Sequence, residues 1–300
     1  MEPEIVADYA CETGEGPLWH TGERRLYWAD IPKGRLFCYD PATGTHAQIY
    51  EGEPVGGFTV QADGALLLFL TQGAVRTWRH GVGFEQTIMP DIEAERASRY
   101  NDAVADPRGR VFAGTMPPDR DHPSRLYRFN TKGVPTLLFD DLGLSNGMGF
   151  SPDQTRFYHT DTRKGYAIHV FDFDGATGEL SNRRRFAHVA DADVETEGRP
   201  DGLTVDAEGR VWSARFGGGC LVCYDPDGTE VDRVPLPGAR NVTSVAFGGE
   251  NLADLYVTTA GGGDREKNGE NAGALFRLRI PSVRGLPEFV SRVGLLAGKV

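Results

Sequence analysis

The stretch Asn101–Gly114, NDAVADPRGRVFAG, contains the unit that decides the fold. It opens with polar residues, passes through a DPRG turn, and enters a run of β-branched and aromatic residues at Val111. A sixfold repeat of one such unit predicts an architecture in which equivalent positions lie on a common ring. Five further stretches share the layout and begin at Gly14 (GEGPLWHTGERRLYW), Gly56 (GGFTVQADGALLLF), Asn146 (NGMGFSPDQTRFYHT), Asp201 (DGLTVDAEGRVWSA) and Thr243 (TSVAFGGENLADLYVT).

The second half of each unit recurs as well, in the order strand, loop, strand, turn. LYWADIPKGRLFCYDPATG from Leu26 and VWSARFGGGCLVCYDPDG from Val211 are two examples. Each unit therefore holds about four short strands, and its period of about 40 to 55 residues is typical of a propeller blade. We predict an all-β fold, a six-bladed β-propeller, as a single domain over residues 1–300. A β-sandwich or jelly roll would not explain six matched units.

Three further segments have structural interpretations. We expect the N-terminal segment to close the ring beside the C-terminal strands, where FVSRVGLLAGKV (289–300) is apolar enough to take part. Cys220 and Cys223 form a C-x-x-C within a predicted strand, where residues three apart point to opposite faces. DFDGATGEL from Asp172 resembles part of a calcium loop but lacks its later ligands, so a hairpin turn is predicted.

The composition excludes several classes of function. A formal net charge of −11 argues against a nucleic-acid binder and against attraction to anionic membranes. The N-terminus MEPEIVADYACETGEG lacks the positive charge and apolar core of a signal peptide, and no segment has the apolar length of a membrane helix. We therefore expect a cytoplasmic protein with reduced cysteines and a small-molecule partner. The sequence does not predict the oligomeric state.

The side chains at the first position of the units are the candidate functional residues. When the units are aligned on the strand that follows, four of the six begin with an oxygen side chain: Glu15, Asn101, Asn146 and Asp201. Turn preference explains a single Asn or Asp, but glutamate has no such preference. Carboxylate and amide oxygens are hard donors that suit Ca²⁺, Mg²⁺ or Mn²⁺. The sequence thus predicts that Glu15, Asn146 and Asp201 converge on one cation, with Arg99 and Asp102 nearby.

The motifs GEGPLW, RYND with the following DPRGRVFAGTM, LSNGMGFSPD and PDGLTVDAEGRVW resemble those of the SMP-30/gluconolactonase family, also called the regucalcin family. The resemblance covers essentially the whole chain. It implies a six-bladed propeller and, for most characterised members, metal-dependent hydrolysis of sugar lactones.

The resemblance also implies roles for individual residues. Glu15, Asn146 and Asp201 would be the metal ligands, and Asp201 would also accept a proton as the general base. Substrate binding would fall to Arg99 and Asn101, together with the neighbouring Asp102. After GTM the family often carries acidic residues, whereas this chain has Pro117-Pro118-Asp119, and we expect Asp119 to keep the substrate contact.

The predicted function is hydrolysis of a sugar lactone to its aldonic acid by a metal-dependent lactonase. Calcium is the expected ion, with manganese, magnesium, zinc and iron as alternatives. Two other functions stay open: a metal-dependent esterase or phosphotriesterase on the same scaffold, and a non-catalytic calcium-binding regulatory protein. GGGDREKNGENAGALF from Gly261 is long and glycine-rich, so it is expected at a rim or lid.

Overall fold

The computed structural model describes residues 2–295 and consists of six four-stranded antiparallel sheets. One edge strand of each sheet, the innermost, contacts the innermost strands of the two neighbouring sheets, and these contacts close a ring. The prediction of an all-β, six-bladed propeller is therefore confirmed. The α-helices within residues 2–295 are single turns, α1 (Val194–Glu197) and α2 (Arg265–Asn268).

Each blade runs from an innermost strand on the central channel to an outermost strand at the surface. The first three blades are formed by β2 (Gly14–His20), β3 (Arg25–Asp30), β4 (Arg35–Asp40) and β5 (Thr45–Glu51); β6 (Gly57–Val60), β7 (Leu66–Phe69), β8 (Val75–Arg79) and β9 (Gly83–Met89); and β10 (Arg99–Ala105), β11 (Val111–Met116), β12 (Ser124–Phe129) and β13 (Pro135–Leu142). The last three are formed by β14 (Ser145–Phe150), β15 (Arg156–Asp161), β16 (Ala167–Phe173) and β17 (Leu180–His188); β18 (Arg199–Val205), β19 (Val211–Phe216), β20 (Cys220–Tyr224) and β21 (Glu230–Pro235); and β22 (Val242–Gly248), β23 (Asp254–Thr259), β24 (Ala274–Leu278) and β1 (Glu4–Asp8).

The apolar core is divided into six clusters, one at each interface between neighbouring blades. Between blades 3 and 4, for example, Phe112 packs against Phe150 and Phe157. Because successive side chains of a strand point to opposite faces, each blade contributes apolar residues to the clusters on both of its sides. Cys220 and Cys223 accordingly belong to clusters on opposite faces of blade 5, both as free buried thiols, which confirms the structural interpretation of the C-x-x-C.

Hairpin turns follow the predicted turn chemistry. In blade 3 the buried carboxylate of Asp106 accepts the backbone N–H groups of Arg108 and Arg110, and it pairs with the Arg110 guanidinium at 2.5 Å. Gly109 completes this turn with a φ of 82°, a value that favours glycine. The segment from Asp172 also forms a hairpin, between β16 and β17, as predicted.

The ring closes through the N-terminal segment, as expected, because β1 pairs antiparallel with β24 as the outermost strand of blade 6. The expectation for the segment 289–300 was wrong in its described part. Ser291 forms a parallel bridge with Gln61, and Arg292 donates its backbone N–H to the carbonyl of Gly109. This segment therefore crosses blades 2 and 3 at the end where their innermost strands finish. The edge of β24 is already occupied by β1. Residues 296–300 lie outside the described part of the chain.

None of the helices described is long and apolar enough to cross a membrane.

Candidate active site

The start of each innermost strand defines one mouth of the channel, called here the site mouth. The innermost strands of blades 1, 3, 4, 5 and 6 each have an irregular register with their neighbouring strand at this end. Such bulges re-aim side chains locally. Glu15, Asn101, Asn146 and Asp201 all lie at these irregular positions and are buried. The repeat therefore brings the four predicted oxygen side chains to one level of the channel.

Two buried aspartates hold the loops that lead into β2 and β14, the strands that carry Glu15 and Asn146. Asp30, at the end of β3, accepts the backbone N–H of Thr13 at 3.0 Å, just before Glu15. Asp161, at the end of β15, accepts the backbone N–H of Leu144 at 3.1 Å, just before Asn146. Both carboxylates are fully buried. The second strand of a blade thus fixes the backbone that carries the site residue on its first strand.

The orientation of the Asn146 amide is determined by its neighbours. Thr162 donates its hydroxyl to the carbonyl of Pro200 at 2.8 Å, so its oxygen is left to accept from Asn146 Nδ2 at 3.1 Å. Nδ2 also donates to Oδ1 of Asp201. The amide oxygen Oδ1 of Asn146 is consequently buried without a hydrogen-bond partner. A buried unpaired carbonyl oxygen is costly, which makes it a candidate ligand atom.

The carboxylates of the cluster are electrostatically unsatisfied. Burial, followed by the charges of Asp201 and Asp102, raises the pKa of Glu15 well above its ordinary value. Burial and the charge of Asp102 likewise raise the pKa of Asp201. Like charges that are removed from water favour proton uptake or a bound cation.

The residues present fit a divalent cation. Glu15 and Asp201 supply carboxylate oxygens and Asn146 supplies an orphaned amide oxygen, a donor set that suits hard cations. Within residues 2–295 no three histidine, cysteine, aspartate or glutamate side chains group as a metal site, so a third ligand beside the two carboxylates would have to be of another type, such as this amide.

Arg99 and Asn101 form a connected pair beside the cluster. The Arg99 guanidinium donates to Oδ1 of Asn101 at 2.9 Å and to the carbonyl of Tyr100 at 2.8 Å. Asn101 in turn donates from Nδ2 to the carbonyl of Ser145 at 2.9 Å. Burial lowers the pKa of Arg99 to about 10, and the charge of Glu15 acts in the opposite direction. The structure thus brings Arg99 and Asn101 next to Glu15 and Asn146.

Asp102 and Asp119 lie apart from this pair. Asp102 lines the channel on the side of the cluster that leads to the opposite mouth, and its pKa is raised to about 7 by burial, with Glu288 as a further cause. Asp119 is exposed on the loop between β11 and β12, where Oδ1 accepts from Nδ1 of His122 at 2.7 Å. The substrate contacts predicted for these two residues stay predictions.

Several residues of the site gave no signal in the sequence. Glu288 belongs to the C-terminal segment that covers the channel from the opposite mouth, where it lines a cavity of about 480 Å³. Burial raises its pKa to about 7. Thr162 supports the cluster through its hydroxyl and Ser145 through its backbone carbonyl, and neither contact recurs in the other blades as a sequence pattern. The loop from Gly261 does reach the site mouth, because Thr259 before it pairs with Val242.

Comparison with known proteins identifies the family. Residues 13–261 match the family model described as the SMP-30/gluconolactonase/LRE-like region. The pentonolactonase XacC of Haloferax volcanii is 47% identical over 298 residues, which cover 97% of this chain and 98% of that protein. The 6-deoxy-6-sulfogluconolactonase of Pseudomonas putida is 37% identical, over 82% of this chain and 83% of that protein. This chain belongs to the SMP-30/gluconolactonase family.

Solved structures agree with this assignment. A calcium-binding protein, regucalcin, from Agrobacterium tumefaciens superposes with a TM-score of 0.88 at 26% identity, covering 98% of each chain. The resemblance inferred from the four motifs is thereby confirmed.

Proposed function

We propose that this protein hydrolyses sugar lactones with the help of a divalent cation held by Glu15, Asn146 and Asp201. The observation that carries the proposal is the buried amide oxygen of Asn146, which lacks a protein partner beside two carboxylates of raised pKa. The names of two relatives, a pentonolactonase and a sulfogluconolactonase, support lactones of sugar acids as the substrate class. Calcium is the first candidate ion because all three donors are oxygens.

The reaction joins a water oxygen to the lactone carbonyl carbon and breaks the bond from that carbon to the ring oxygen. Asp201 accepts the proton of the attacking water, and this proton passes to the ring oxygen as it leaves as a hydroxyl. The carboxylate of Asp201 is the group of the cluster that can accept this proton, since Asn146 offers only an amide. When bound, the cation supplies polarisation of the lactone carbonyl and offsets the negative charge of the cluster.

Arg99 and Asn101 position the substrate in this proposal. Their mutual hydrogen bond fixes the guanidinium plane beside the cluster. A fixed fork of donors orients hydroxyl oxygens at little entropic cost. Polar groups of this kind favour a hydroxylated ring over an apolar ester or phosphotriester.

A panel of aldonolactones tests the proposal. Protein stripped with a chelator is reconstituted separately with Ca²⁺, Mn²⁺, Mg²⁺, Zn²⁺ or Fe²⁺, and proton release is followed above the spontaneous rate. We expect acid production that requires metal, since each turnover yields an aldonic acid that ionises at neutral pH. Tight metal binding without hydrolysis of any lactone would favour the calcium-binding alternative. Hydrolysis of aryl esters or phosphotriesters alone would favour the esterase alternative.

Asp201→Asn tests the assigned base. We expect turnover to fall by about 10²- to 10⁴-fold with the fold retained, because the amide cannot accept the proton. Circular dichroism and the melting temperature check the fold. Asp227→Asn is the control, since Asp227 is exposed in the hairpin between β20 and β21. Near wild-type turnover in Asp201→Asn would contradict the mechanism.

A further inference from the structure

A strongly basic recess lies at the site mouth, separate from the cavity that Glu288 lines at the opposite mouth. It has a volume of about 300 Å³ and is formed by loops of blades 3, 4 and 5. Four of its lining residues carry positive charge: Arg120, Arg163, Lys164 and Arg199. No glutamate or aspartate lines it within the described part of the chain. Such a concentration of cations stands out in a protein with a formal net charge of −11.

Two of these charges are balanced by acids outside the recess. Lys164 pairs with Asp141 at 3.2 Å, and Arg199 lies 3.7 Å from the exposed carboxylate of Glu195. The guanidinium of Arg199 also lies over the ring of Tyr166 at 5.9 Å, which restricts its position.

The other two charges, those of Arg120 and Arg163, are not balanced. Among residues 2–295 neither guanidinium has a carboxylate within 4.0 Å. Nη1 of Arg163 is buried without a hydrogen-bond partner. Burial lowers the pKa of Arg163, and the positive charges of Arg120 and Arg199 act in the same direction. The group therefore lacks a counter-charge that an anion would supply.

The nearby carboxylate of Asp161 is already occupied. Its two oxygens accept the backbone N–H groups of Gly143 and Leu144, and Oδ1 also accepts those of Arg163 and Lys164. Because these bonds hold the loop before Asn146, Asp161 is not free to turn into the recess.

Residues that line the recess are close in sequence to Asn146 and Asp201 of the buried cluster. Arg199 precedes Asp201 by two residues on β18, a spacing of about 7 Å along a strand. Leu142 and Gly143, which line the recess, lead directly into the strand of Asn146. Arg163 is close enough to Arg99 for its charge to lower the Arg99 pKa further. A molecule in the active site would therefore have the recess at one side.

We propose that this basic recess binds an anionic substituent, such as a phosphate, carried by the substrate at the end remote from the lactone carbonyl. The proposal rests on the proposed lactonase function and narrows its substrate class to acidic sugar lactones. Arg120 and Arg163 would pair with the anion, while Lys164 and Arg199 raise the local positive potential. Guanidinium groups suit phosphate oxygens because they present a planar fork of donors.

A matched pair of lactones tests the proposal. Gluconolactone and 6-phosphogluconolactone share one ring and differ by the phosphate group. We expect the wild-type KM to be about tenfold lower for the phosphorylated lactone, the effect of one charge-assisted hydrogen bond. Arg163→Gln should abolish this preference while leaving the KM for gluconolactone within about twofold, a change of under half a kcal/mol. Arg240→Gln, in a separate recess between blades 5 and 6 at the same mouth, is the control and should keep this preference.

Binding of inorganic phosphate provides a readout that does not depend on activity. We expect phosphate to raise the melting temperature of metal-free wild-type protein and not that of Arg163→Gln. If neither lactone is hydrolysed, the lactonase proposal fails, and this measurement still judges the recess. Phosphate binding that is absent, or unchanged in Arg163→Gln, would refute the anion site. Binding that Arg163→Gln removes, with equal KM values for the two lactones, would refute the substrate assignment and indicate a free anion.

Discussion

Blades 1, 3, 4 and 5 each present a polar side chain to the buried cluster at the site mouth, whereas blade 2 presents none and blade 6 presents only the hydroxyl of Thr243. In these four blades the irregular strand start, which blade 6 shares, carries Glu15, Asn101, Asn146 or Asp201. Blade 2 has a regular pairing from Gly57 onward and no side chain at the equivalent position. The same sheet architecture can therefore hold the active site or support it, depending on the first residues of its innermost strand.

The glycines of blade 2 make room for blade 3. A Cβ atom on Gly56 would lie 1.8 Å from the carbonyl oxygen of Tyr100, and one on Gly57 would lie 2.9 Å from the backbone nitrogen of Ala103. Neither glycine has a positive φ, so the requirement is for space rather than for an unusual backbone conformation. The irregular strand that carries Asn101 occupies that space.

Blade 6 supports blade 1 by a hydrogen bond. The hydroxyl of Thr243 lies 2.6 Å from the carbonyl of Gly14 and 3.0 Å from the hydroxyl of Thr258. The Gly14 carbonyl belongs to the peptide that leads to Glu15. Thr243, which occupies the ring position of blade 6, thus helps to position the backbone of blade 1 that leads to Glu15.

Gly56→Ala should disturb the strand of blade 3 that carries Asn101, because blade 2 would no longer leave room for it. The added methyl group must displace the Tyr100–Asn101 backbone, so we expect a stability loss of about 1–3 kcal/mol and a roughly 100-fold loss of turnover. Thermal melting and a lactone assay measure the two effects. Gly175→Ala is the matched control, because its methyl group would have nothing closer than 3.9 Å and its φ is also not positive. An active and stable Gly56→Ala protein would show that blade 2 plays no supporting role.

Thr243→Val tests the support from blade 6 and should have a smaller effect. Loss of the hydroxyl leaves the buried Gly14 carbonyl without this donor, at a cost of about 1 kcal/mol in stability. Metal affinity should fall by up to about tenfold, because Glu15 is less firmly held. Thr243→Ser retains the hydroxyl and should restore metal affinity. Equal losses in the serine and valine variants would assign the effect to packing instead.

The fold could be predicted from the sequence because its signal is repeated six times. The alignment of units was enough to place Gly14, Asn146 and Asp201 within about two residues of the first residues of β2, β14 and β18. The grouping of Glu15, Asn146 and Asp201 was predictable for the same reason, since ring symmetry brings equivalent positions together, and their role as metal ligands stays a prediction. Glu15 and Asp201 indeed share the buried cluster with Asn146.

Features outside the repeat could not be predicted. The C-terminal segment crosses below blades 2 and 3, and it places Glu288 in the channel through bonds such as the one from Ser291 to Val60. The basic recess combines Arg120 and Arg163, from loops of blades 3 and 4, with Arg199 at the start of β18, and these positions follow no common register. Such groupings depend on loop conformation rather than on strand periodicity.

The proposed function requires that the unpaired amide oxygen of Asn146 completes a cation site. The most direct measurement is a Ca²⁺ titration, by calorimetry, of chelator-treated wild-type protein and of Asn146→Ala. We expect one ion per chain in the wild type and an affinity at least about tenfold weaker in the variant, by analogy with the loss of one charge-assisted contact. Absence of calcium binding in the wild type, or equal affinity in the two proteins, would contradict it.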